Sequence, residues 1–334
     1  MMAYSGDRDN TVAGAAAGIG ARVLVTGGAG YIGSHTCKAL HAAGYVPVVL
    51  DSLVAGHREF VRWGPLVGAD IRDTGEVVAA IKRYGVTSVV HFASLIAVGE
   101  SVRDPALYYD VNVAGTLSLL RAMRQTGVQR IVFSSSAAVY GMPQAATLNE
   151  AHALNPVNPY GWSKYMAERM LQDHAGAYGL RYLALRYFNV YGPRQDPASQ
   201  YAAVVPRFIN AALSDKPPTV FGDGLQSRDF VYVDNVIDAN LLACQAPAER
   251  VAGQVINIGC GQGCSLLELI STLSELTGRP ITPEHHPGRS GEVRHSRSDI
   301  RRATELLGYR PRYLLRDGLQ KTLAWYRDGK GRSA

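Results

Sequence analysis

A glycine-rich turn directly follows the apolar run Val23–Val25 and limits the folds that this chain can adopt. Such a run is typical of a buried parallel strand, and the residues after the turn have the composition of a helix. Gly28, Gly30 and Gly33 have the spacing of a dinucleotide-binding turn. Glycine there permits a tight turn, close approach of the backbone to a pyrophosphate, and close packing of helix on strand. The segment therefore predicts a strand, a turn and a helix, with a pyrophosphate at the helix N-terminus.

A carboxylate stands at the end of the next apolar run, Val46–Leu50. This residue is Asp51, at about the 20-residue distance from the glycines at which an acid binds the ribose hydroxyls of a dinucleotide. An acid at this position favours NAD over NADP. Two alternatives stay open, because Asp51 could instead cap a loop and Arg58 could reach the 2′-phosphate of NADP.

Composition excludes several classes of protein. The chain has 334 residues, 47% of them hydrophobic, which is enough for a doubly wound domain and a smaller lobe with separate cores. No stretch approaches the ~18 uninterrupted apolar residues of a membrane span. The net charge of +6 suits an anionic ligand, but Lys and Arg are scattered rather than clustered, so we expect no nucleic-acid binding.

The cysteines and the N-terminus indicate the cellular setting. Four cysteines in a chain of this length fit a reducing cytoplasm better than a disulfide framework. Cys260 and Cys264 have C-x-x-x-C spacing with no second pair, so we expect no metal. Residues 1–20 are polar and then Ala/Gly-rich, lack the apolar run of a signal peptide, and are interpreted as a flexible extension.

Strand-like and helical runs alternate along the first half of the chain. The strand-like runs are Val23–Thr26, Val46–Asp51, Val86–Phe92, Arg130–Ser134 and Arg181–Tyr187, and the clearest helical runs are Thr116–Gly127 and Ser163–Tyr178. This alternation predicts an α/β fold, a Rossmann-type doubly wound parallel sheet with a smaller C-terminal α/β lobe. We place the dinucleotide-binding domain at 21–190 and the substrate-binding lobe at 191–227 and 263–330. Segments near 228–262, notably Arg228–Val236 and Val255–Gly259, are expected to return to the main sheet.

Several polar segments fall at predicted strand ends, where open α/β sheets bind their ligands. Besides the glycine turn and Asp51, these are His91–Ser94, Ser134–Ser136 and Tyr187–Asn189. The sequence therefore predicts one cleft that gathers all of them.

Tyr160 and Lys164 lie one turn apart at the start of a predicted helix and so share a face. A phenol has a pKa of about 10, and a nearby ammonium favours the phenolate. Lowering that pKa by roughly three units takes about 4 kcal/mol, which is within reach of Lys164 together with a nicotinamide cation. Tyr160 is therefore a candidate base. The alternative is a helix-start tyrosine beside a solvated lysine.

Together these motifs resemble those of the extended short-chain dehydrogenases/reductases, and among them the nucleotide-sugar 4-epimerases of the UDP-glucose 4-epimerase type. The resemblance runs from about Arg22 to Trp325. Its landmarks are Thr26–Gly33, Gly68–Arg72, Val90–Ala93, Tyr109–Val113, Ser134–Gly141, Tyr160–Lys164 and Leu185–Asn189.

The resemblance implies an enzyme that retains NAD and epimerises a UDP-sugar through a transient 4-keto intermediate. Tyr160 would take the proton of the sugar 4-hydroxyl, Ser136 would hydrogen-bond that oxygen, and Lys164 would lower the pKa of Tyr160 and bind the nicotinamide ribose. The positions that match the family's cofactor-binding residues are Gly27, Gly30, Tyr31, Ile32, Gly33, Asp51, Asp70, Ile71, Phe92, Ala93, Asn112, Tyr160, Lys164 and Tyr187. Those that match its substrate-binding residues are Ser136, Tyr160, Asn189, Arg228, Arg289, Glu292 and Ser296.

Four positions bear on the reaction and on the substrate. Ala137 and Ala138 stand where related dehydratases and decarboxylases carry an acid, which favours simple epimerisation. Ile96 stands where many epimerases have a Lys near the cofactor, so one cationic contact to NAD is missing. Ser296 stands where glucose-restricted members carry a bulky Tyr. Its small side chain favours a range that includes UDP-GlcNAc and UDP-GalNAc beside UDP-glucose and UDP-galactose.

Other functions share these motifs. A UDP-glucuronate 4-epimerase, or another NAD-dependent nucleotide-sugar oxidoreductase, would differ only in the sugar pocket. An NAD-sensing Rossmann scaffold would have lost the chemistry, and the intact Ser136, Tyr160 and Lys164 argue against it. The resemblance also implies a homodimer through two long helices, Pro105–Arg124 and Ser163–Tyr178, although the apolar faces of those helices could equally belong to the core.

Overall fold

Strands and helices alternate along the structure, a computed structural model that describes residues 19–195, 203–288 and 293–328. All but the last two residues of the predicted extension at 1–20 lie outside these ranges. The strands are, in chain order, β1 (Arg22–Thr26), β2 (Val46–Leu50), β3 (Leu66–Val67), β4 (Ser88–His91), β5 (Arg130–Ser136), β6 (Thr147–Leu148), β7 (Arg181–Tyr187), β8 (Asn189–Tyr191), β9 (Thr219–Phe221), β10 (Ser227–Arg228), β11 (Phe230–Tyr232), β12 (Gln254–Ile258), β13 (Cys264–Ser265), β14 (Glu284–His286) and β15 (His295–Ser298).

The helices of the same ranges connect these strands. They are α1 (Tyr31–Ala42), α2 (Thr74–Tyr84), α3 (Val98–Arg103), α4 (Pro105–Tyr108), α5 (Gly115–Thr126), α6 (Pro159–Tyr178), α7 (Val204–Leu213), α8 (Val233–Gln245), α9 (Ala248–Val251), α10 (Leu266–Thr277), α11 (Arg301–Leu307) and α12 (Leu315–Arg327). Two 3₁₀ turns, Arg58–Phe60 and Ala137–Tyr140, and a π-helical turn, Tyr109–Ala114, complete the set. None of the helices in the described ranges is long and apolar enough to span a membrane.

Seven strands form a central sheet in which every pairing is parallel. Their order is β12-β7-β5-β4-β1-β2-β3. The order reverses between β1 and β4, and Thr26 at the end of β1 lies opposite both Leu50 and His91. The crevice outside the carboxyl ends at such a reversal is where open α/β sheets bind ligands. The predicted Rossmann-type doubly wound sheet is therefore confirmed.

Each face of the sheet has its own core, because successive side chains of a strand point to opposite faces. Val23 and Val25 pack in one core with Leu40 of α1 and Val236 of α8. Leu24 packs in the other core, which is covered by α2, α5 and α6. Burial on both faces explains why β1 is a continuous apolar run.

A third core lies in the C-terminal part of the chain, where α7, α10 and α12 pack together around residues such as Phe208, Leu269 and Leu323. The ring of Tyr31, the first residue of α1, packs against this core. The helix that follows the glycine turn therefore contacts both the first and the third core.

Asp229 is a buried carboxylate between β10 and β11 that connects the central sheet with a smaller sheet in the C-terminal part of the chain. It accepts backbone hydrogen bonds from Cys260 at 2.8 Å, Gly261 at 3.0 Å and Ser298 at 3.0 Å. Burial raises its pKa, while these hydrogen bonds act in the opposite direction. The carboxylate thus holds the end of β12, which belongs to the central sheet, beside β15 of a smaller sheet ordered β13-β10-β15-β6.

Most of the predicted elements occur, and one expectation was wrong. β7 has the predicted bounds, and β12 joins the main sheet beside β7 as expected. Arg228–Val236, in contrast, does not return to the main sheet: β11 pairs with β8, β10 belongs to the smaller sheet, and α8 begins at Val233. The reason is that the chain leaves the central sheet after Phe188, and β8, rather than a main-sheet strand, offers an edge to β11.

Candidate active site

The glycine turn requires glycine at its contact points. A Cβ on Gly33 would lie 2.1 Å from the carbonyl oxygen of Gly27, so the first turn of α1 can pack on the end of β1 only without one. Gly27 has φ +69°, and a Cβ there would lie 2.7 Å from the backbone nitrogen of Ala93. No side chain caps the start of α1. Its first N–H groups, which have no partner within a helix, are thus available to an anion.

Asp51 supports this turn directly. Its carboxylate accepts the N–H of Ala29 at 3.0 Å and that of Leu53, which has a positive φ, at 2.9 Å. The capping role that the sequence left open is therefore present. A carboxylate has about four acceptor positions, so Asp51 retains the capacity to bind ribose hydroxyls.

The remaining predicted cofactor residues surround the same edge of the sheet. Phe92 and Ala93 follow β4, and their backbone lies against Gly27 of the glycine turn. Asp70 is held by the guanidinium of Arg72, at 2.9 Å from Nε and 2.6 Å from Nη2, and this ion pair lowers the pKa of Asp70. Ile71 is buried beside it.

Two tyrosines of the predicted cofactor set have their hydroxyl groups turned into the protein. The hydroxyl of Tyr31 is buried and accepts or donates no hydrogen bond within the described residues, and burial raises its pKa. That of Tyr187 donates to Oδ1 of Asn240 at 2.8 Å.

Ser136, Tyr160 and Lys164 lie together at the end of β5. α6 begins at Pro159 because Asn158 caps it, accepting the N–H of Gly161 at 2.8 Å. This places Tyr160 in the first turn, where its hydroxyl is hydrogen-bonded to Ser136. Lys164 lies one turn further, with Nζ 6.0 Å from the centre of the Tyr160 ring. It donates to Oγ of Ser94 at 3.0 Å and to the carbonyl of Ser134 at 2.8 Å.

Burial is the largest influence on the protonation of both groups. It lowers the pKa of Lys164 to about 7 and raises the pKa of Tyr160, whereas the hydrogen bond from Ser136 lowers the latter. Among the protein's own groups, burial thus outweighs the attraction of the neighbouring ammonium for the phenolate. The depressed pKa that we expect for Tyr160 remains a prediction for the complex with NAD.

Asn112 lies in the π-helical turn and is fixed by three hydrogen bonds. Its Oδ1 accepts the N–H of Leu95 at 2.8 Å, and its Nδ2 donates to the Leu95 carbonyl at 3.0 Å and to Oγ of Ser163 at 2.9 Å. The predicted helix Pro105–Arg124 is thus interrupted at the point where Asn112 contacts α6. Such π turns are frequent at functional sites.

A buried histidine, which the sequence analysis placed at a strand end without giving it a role of its own, connects this turn with β1. Nδ1 of His91 lies 2.7 Å from Oγ1 of Thr26, and Nε2 lies 3.0 Å from Oγ1 of Thr116. Thr116 donates to the carbonyl of Asn112, so Nε2 carries the proton and Nδ1 accepts. Burial lowers the pKa of His91 to about 3, which keeps the ring neutral.

Three of the predicted substrate residues, Asn189, Arg228 and Ser296, lie on β8, β10 and β15, outside the central sheet. Asn189 begins β8, and its Nδ2 lies 3.4 Å from the carbonyl of Asp229. Ser296, which is 9% exposed, lies opposite Arg228 in the pairing of β15 with β10. Ile96 is exposed, at 66%. Arg289 and Glu292 lie outside the described residues.

Comparison with known proteins identifies the family. A model of the NAD dependent epimerase/dehydratase family matches residues 23–259, from the first strand through β12. The chain belongs to this family, and NAD is its cofactor. The glycine contacts, the uncapped start of α1 and the carboxylate of Asp51 fit that cofactor.

Known epimerases are similar to this chain over nearly its whole length. A UDP-glucose 4-epimerase of Rhizobium leguminosarum is 39% identical in an alignment of 319 residues that covers 92% of this chain and 98% of that protein. The solved structure of a UDP-glucose 4-epimerase from Thermotoga maritima with UDP-glucose is 38% identical, covers 92% of this chain and 99% of its own, and has a TM-score of 0.88. A UDP-N-acetylglucosamine 4-epimerase from Methanobrevibacter ruminantium, in complex with UDP-N-acetylmuramic acid, is 34% identical with a TM-score of 0.87, covering 93% and 99%.

The first prediction concerns the glycine turn. In Gly33→Ala the new methyl group must displace the Gly27 carbonyl, and this overpacking typically costs about 1–3 kcal/mol. We expect the variant to be less stable and to purify with little NAD. The measurement is dinucleotide released per chain on denaturation, together with urea unfolding. Gly176→Ala, at an exposed helical position with no neighbour within 4 Å, is the control. Full NAD content in Gly33→Ala would contradict the assignment of the turn.

Proposed function

We propose that this chain catalyses the NAD-dependent 4-epimerisation of a UDP-sugar. The observation that carries the proposal is the convergence of Ser136, Tyr160 and Lys164 at the end of β5, beside the glycine turn. The activities for which the relatives are named support the same reaction. Ala137 and Ala138, in the 3₁₀ turn after Ser136, have no proton to transfer, which favours epimerisation over dehydration.

The roles of the three residues follow from their placement. Tyr160 takes the proton of the sugar 4-hydroxyl and later returns a proton to the same oxygen. Ser136 donates a hydrogen bond to that oxygen and so keeps it in line with the phenol. Lys164 contributes positive charge beside Tyr160, and its placement suits a contact to the nicotinamide ribose. When bound, NAD would accept a hydride from C4. The 4-keto sugar would then turn over in the pocket, so that the same hydride returns to its opposite face.

The cofactor and sugar contacts are proposed residue by residue. Asp51 binds the adenosine ribose, and Asp70 with the backbone of Ile71 contacts the adenine. Asn189, Arg228 and Ser296 contact the UDP-sugar, together with Arg289 and Glu292 from outside the described residues. Arginine suits a diphosphate because it makes paired, charge-assisted hydrogen bonds.

We include N-acetylhexosamines in the substrate range. Ser296 is a small side chain beside Arg228, and one relative of similar structure carries the name UDP-N-acetylglucosamine 4-epimerase. The expected substrates are thus UDP-glucose, UDP-galactose, UDP-GlcNAc and UDP-GalNAc.

The proposal places the protein in the reducing cytoplasm. Support comes from its four cysteines, Cys37, Cys244, Cys260 and Cys264, which are all free. Burial raises the pKa of each thiol to about 12. Such thiols are poor nucleophiles and do not form disulfides readily.

The second prediction tests the base. Tyr160→Phe removes the hydroxyl and keeps the ring, so kcat for UDP-galactose should fall by roughly 10² to 10⁴, the usual contribution of a positioned acid or base. NAD content and unfolding should stay near the wild-type values. Tyr165→Phe makes the same change on the same helix and should leave kcat unchanged. Equal loss in both variants, or no loss in Tyr160→Phe, would overturn the role.

The third prediction tests the sugar pocket. Ser296→Tyr places a large ring beside Arg228 and should lower kcat/KM for UDP-GalNAc at least ~10-fold relative to UDP-galactose, since one misfitting methylene already costs that much. Ser296→Ala, which stays small, should convert both sugars. The two rates are measured by chromatography of the 4-epimers. If the ratio of kcat/KM for UDP-GalNAc and UDP-galactose is unchanged in Ser296→Tyr, this position does not determine which sugars are accepted.

We propose further that two copies of the chain form a homodimer. Support comes from apolar side chains that are exposed on neighbouring helices, namely Val98 and Val102 of α3, Leu107 of α4 and Met166 of α6. α3 and α4 both pack against α6, so these side chains belong to one region of the surface. Contiguous exposed apolar side chains of this kind mark interaction surfaces.

The fourth prediction tests this dimer. Val102 is 62% exposed, and Val102→Glu would bury a charge in the proposed interface. We expect wild type to have the mass of a dimer by light scattering and Val102→Glu that of a monomer. Leu314→Glu, at an exposed apolar residue before α12, should remain dimeric. A monomeric wild type would refute the proposal.

A further inference from the structure

Glu168 is a buried carboxylate that the proposed mechanism does not use. Glu168 lies on α6 one turn beyond Lys164 and is 6% exposed. Its Oε1 accepts a hydrogen bond from Oγ of Ser135 at 2.5 Å and from Nε of Arg186 at 2.9 Å, and its Oε2 accepts from Nη2 of Arg186 at 2.7 Å. Removing a charge from water is costly, so a buried carboxylate of this kind calls for an explanation.

The hydrogen bond from Ser135 ties the end of β5 to α6. Ser135 stands between Ser134, whose carbonyl accepts from Lys164, and Ser136, whose hydroxyl contacts Tyr160. Neighbouring side chains of a strand point to opposite faces, so Ser135 is directed away from the face that Ser136 presents. The bond to Glu168 therefore sets how far the strand end can shift along the helix that carries Tyr160 and Lys164.

The charge of Glu168 also acts on Lys164. The groups to which Lys164 donates, the Ser94 hydroxyl and the Ser134 carbonyl, are neutral. The titratable groups that face it are His91 from β4, which is neutral, and Tyr160 and Glu168 from α6. Arg186 of β7 is paired with Glu168. Burial lowers the pKa of Lys164, and the attraction of Glu168 is the one opposing effect that raises it.

Arg186 connects Glu168 with the smaller sheet, which carries the predicted substrate residues Arg228 and Ser296. Its Nη1 donates to the hydroxyl of Tyr140 at 3.0 Å, which donates to Oδ1 of Asn257 at 2.6 Å. Nδ2 of Asn257 donates to the carbonyl of Leu148 at 2.9 Å. Leu148 belongs to β6, which pairs with β15, the strand of Ser296. A continuous chain of hydrogen bonds thus runs from Glu168 to β6, the strand that pairs with the strand of Ser296.

We propose that Glu168 is a positioning residue for the reaction: its charge keeps Lys164 protonated in the buried site, and its bond to Ser135 fixes Ser136 against Tyr160. The catalytic part of this inference rests on the proposed function. The effect on Lys164 does not, since it is measured in the resting protein.

The fifth prediction follows Lys164 directly. The chain has only six lysines, so lysine labelled with ¹³C at Cε gives a spectrum of few signals, and the Lys164 signal is identified by its loss in Lys164→Met. In wild type this signal should titrate near pH 7. In Glu168→Gln the midpoint should fall by on the order of 1 pH unit or more, because an opposite charge is removed. Glu275→Gln, which breaks the exposed pair with Arg316, should leave the midpoint unchanged.

Two further variants keep the test decisive. Glu168→Gln leaves Arg186 unpaired and could unfold, so Glu168→Gln/Arg186→Met removes both charges and should still lower the midpoint. Ser135→Ala keeps both charges, so the Lys164 midpoint in this variant should stay at the wild-type value.

In Ser135→Ala and Glu168→Gln alike, kcat should fall about tenfold or more with little change in KM. In Glu168→Gln, but not in Ser135→Ala, the high-pH limb of the kcat profile should move to lower pH, together with the titration midpoint of Lys164.

The outcomes separate the two claims. An unchanged Lys164 midpoint in both Glu168 variants would overturn the inference, as would a normal kcat in Ser135→Ala and Glu168→Gln. If the wild type epimerises no UDP-sugar while the midpoint still falls in both Glu168 variants, the proposed function fails and the electrostatic role of Glu168 stands.

Discussion

The burial of one ammonium group, that of Lys164, constrains the rest of the site. A charge removed from water is tolerated only where hydrogen bonds and opposite charge surround it. Ser94 and the carbonyl of Ser134 supply the hydrogen bonds, and they come from the ends of two different strands, while Glu168 supplies the charge. α6 must therefore lie against the carboxyl edge of the sheet at one particular height. That height brings Tyr160 to Ser136.

The glycine turn imposes the second constraint at the same edge. Gly33 places the start of α1 against Gly27 of the turn, and Gly27 in turn lies against the backbone of Phe92 and Ala93 after β4. A chain of hydrogen bonds then leads from Thr26 through His91 and Thr116 to the π turn, where Asn112 contacts α6 through Ser163. The proposed cofactor site and the catalytic residues are thus parts of one connected structure.

The sequence predicted the features that depend on local pattern. Continuous apolar runs indicated the parallel strands, and β7 has the predicted bounds because both its faces are buried. The strand ends, and hence the cleft, followed from the same pattern. Contacts between distant residues could not be predicted. The sequence does not show that Glu168 pairs with Arg186, or that the carboxylate of Asp229, in the strand-like run Arg228–Val236, binds both the end of β12 and β15. These depend on which charges the fold buries together.

The proposed reaction requires that the sugar be oxidised and reduced at C4 by the same retained cofactor. The most direct measurement uses UDP-galactose deuterated at C4 and the purified protein without added NAD, with NMR of the product. We predict UDP-glucose that retains deuterium at C4, with no reduced dinucleotide released into solution. Loss of the label to water, or reduced dinucleotide accumulating in step with sugar oxidation, would contradict the account.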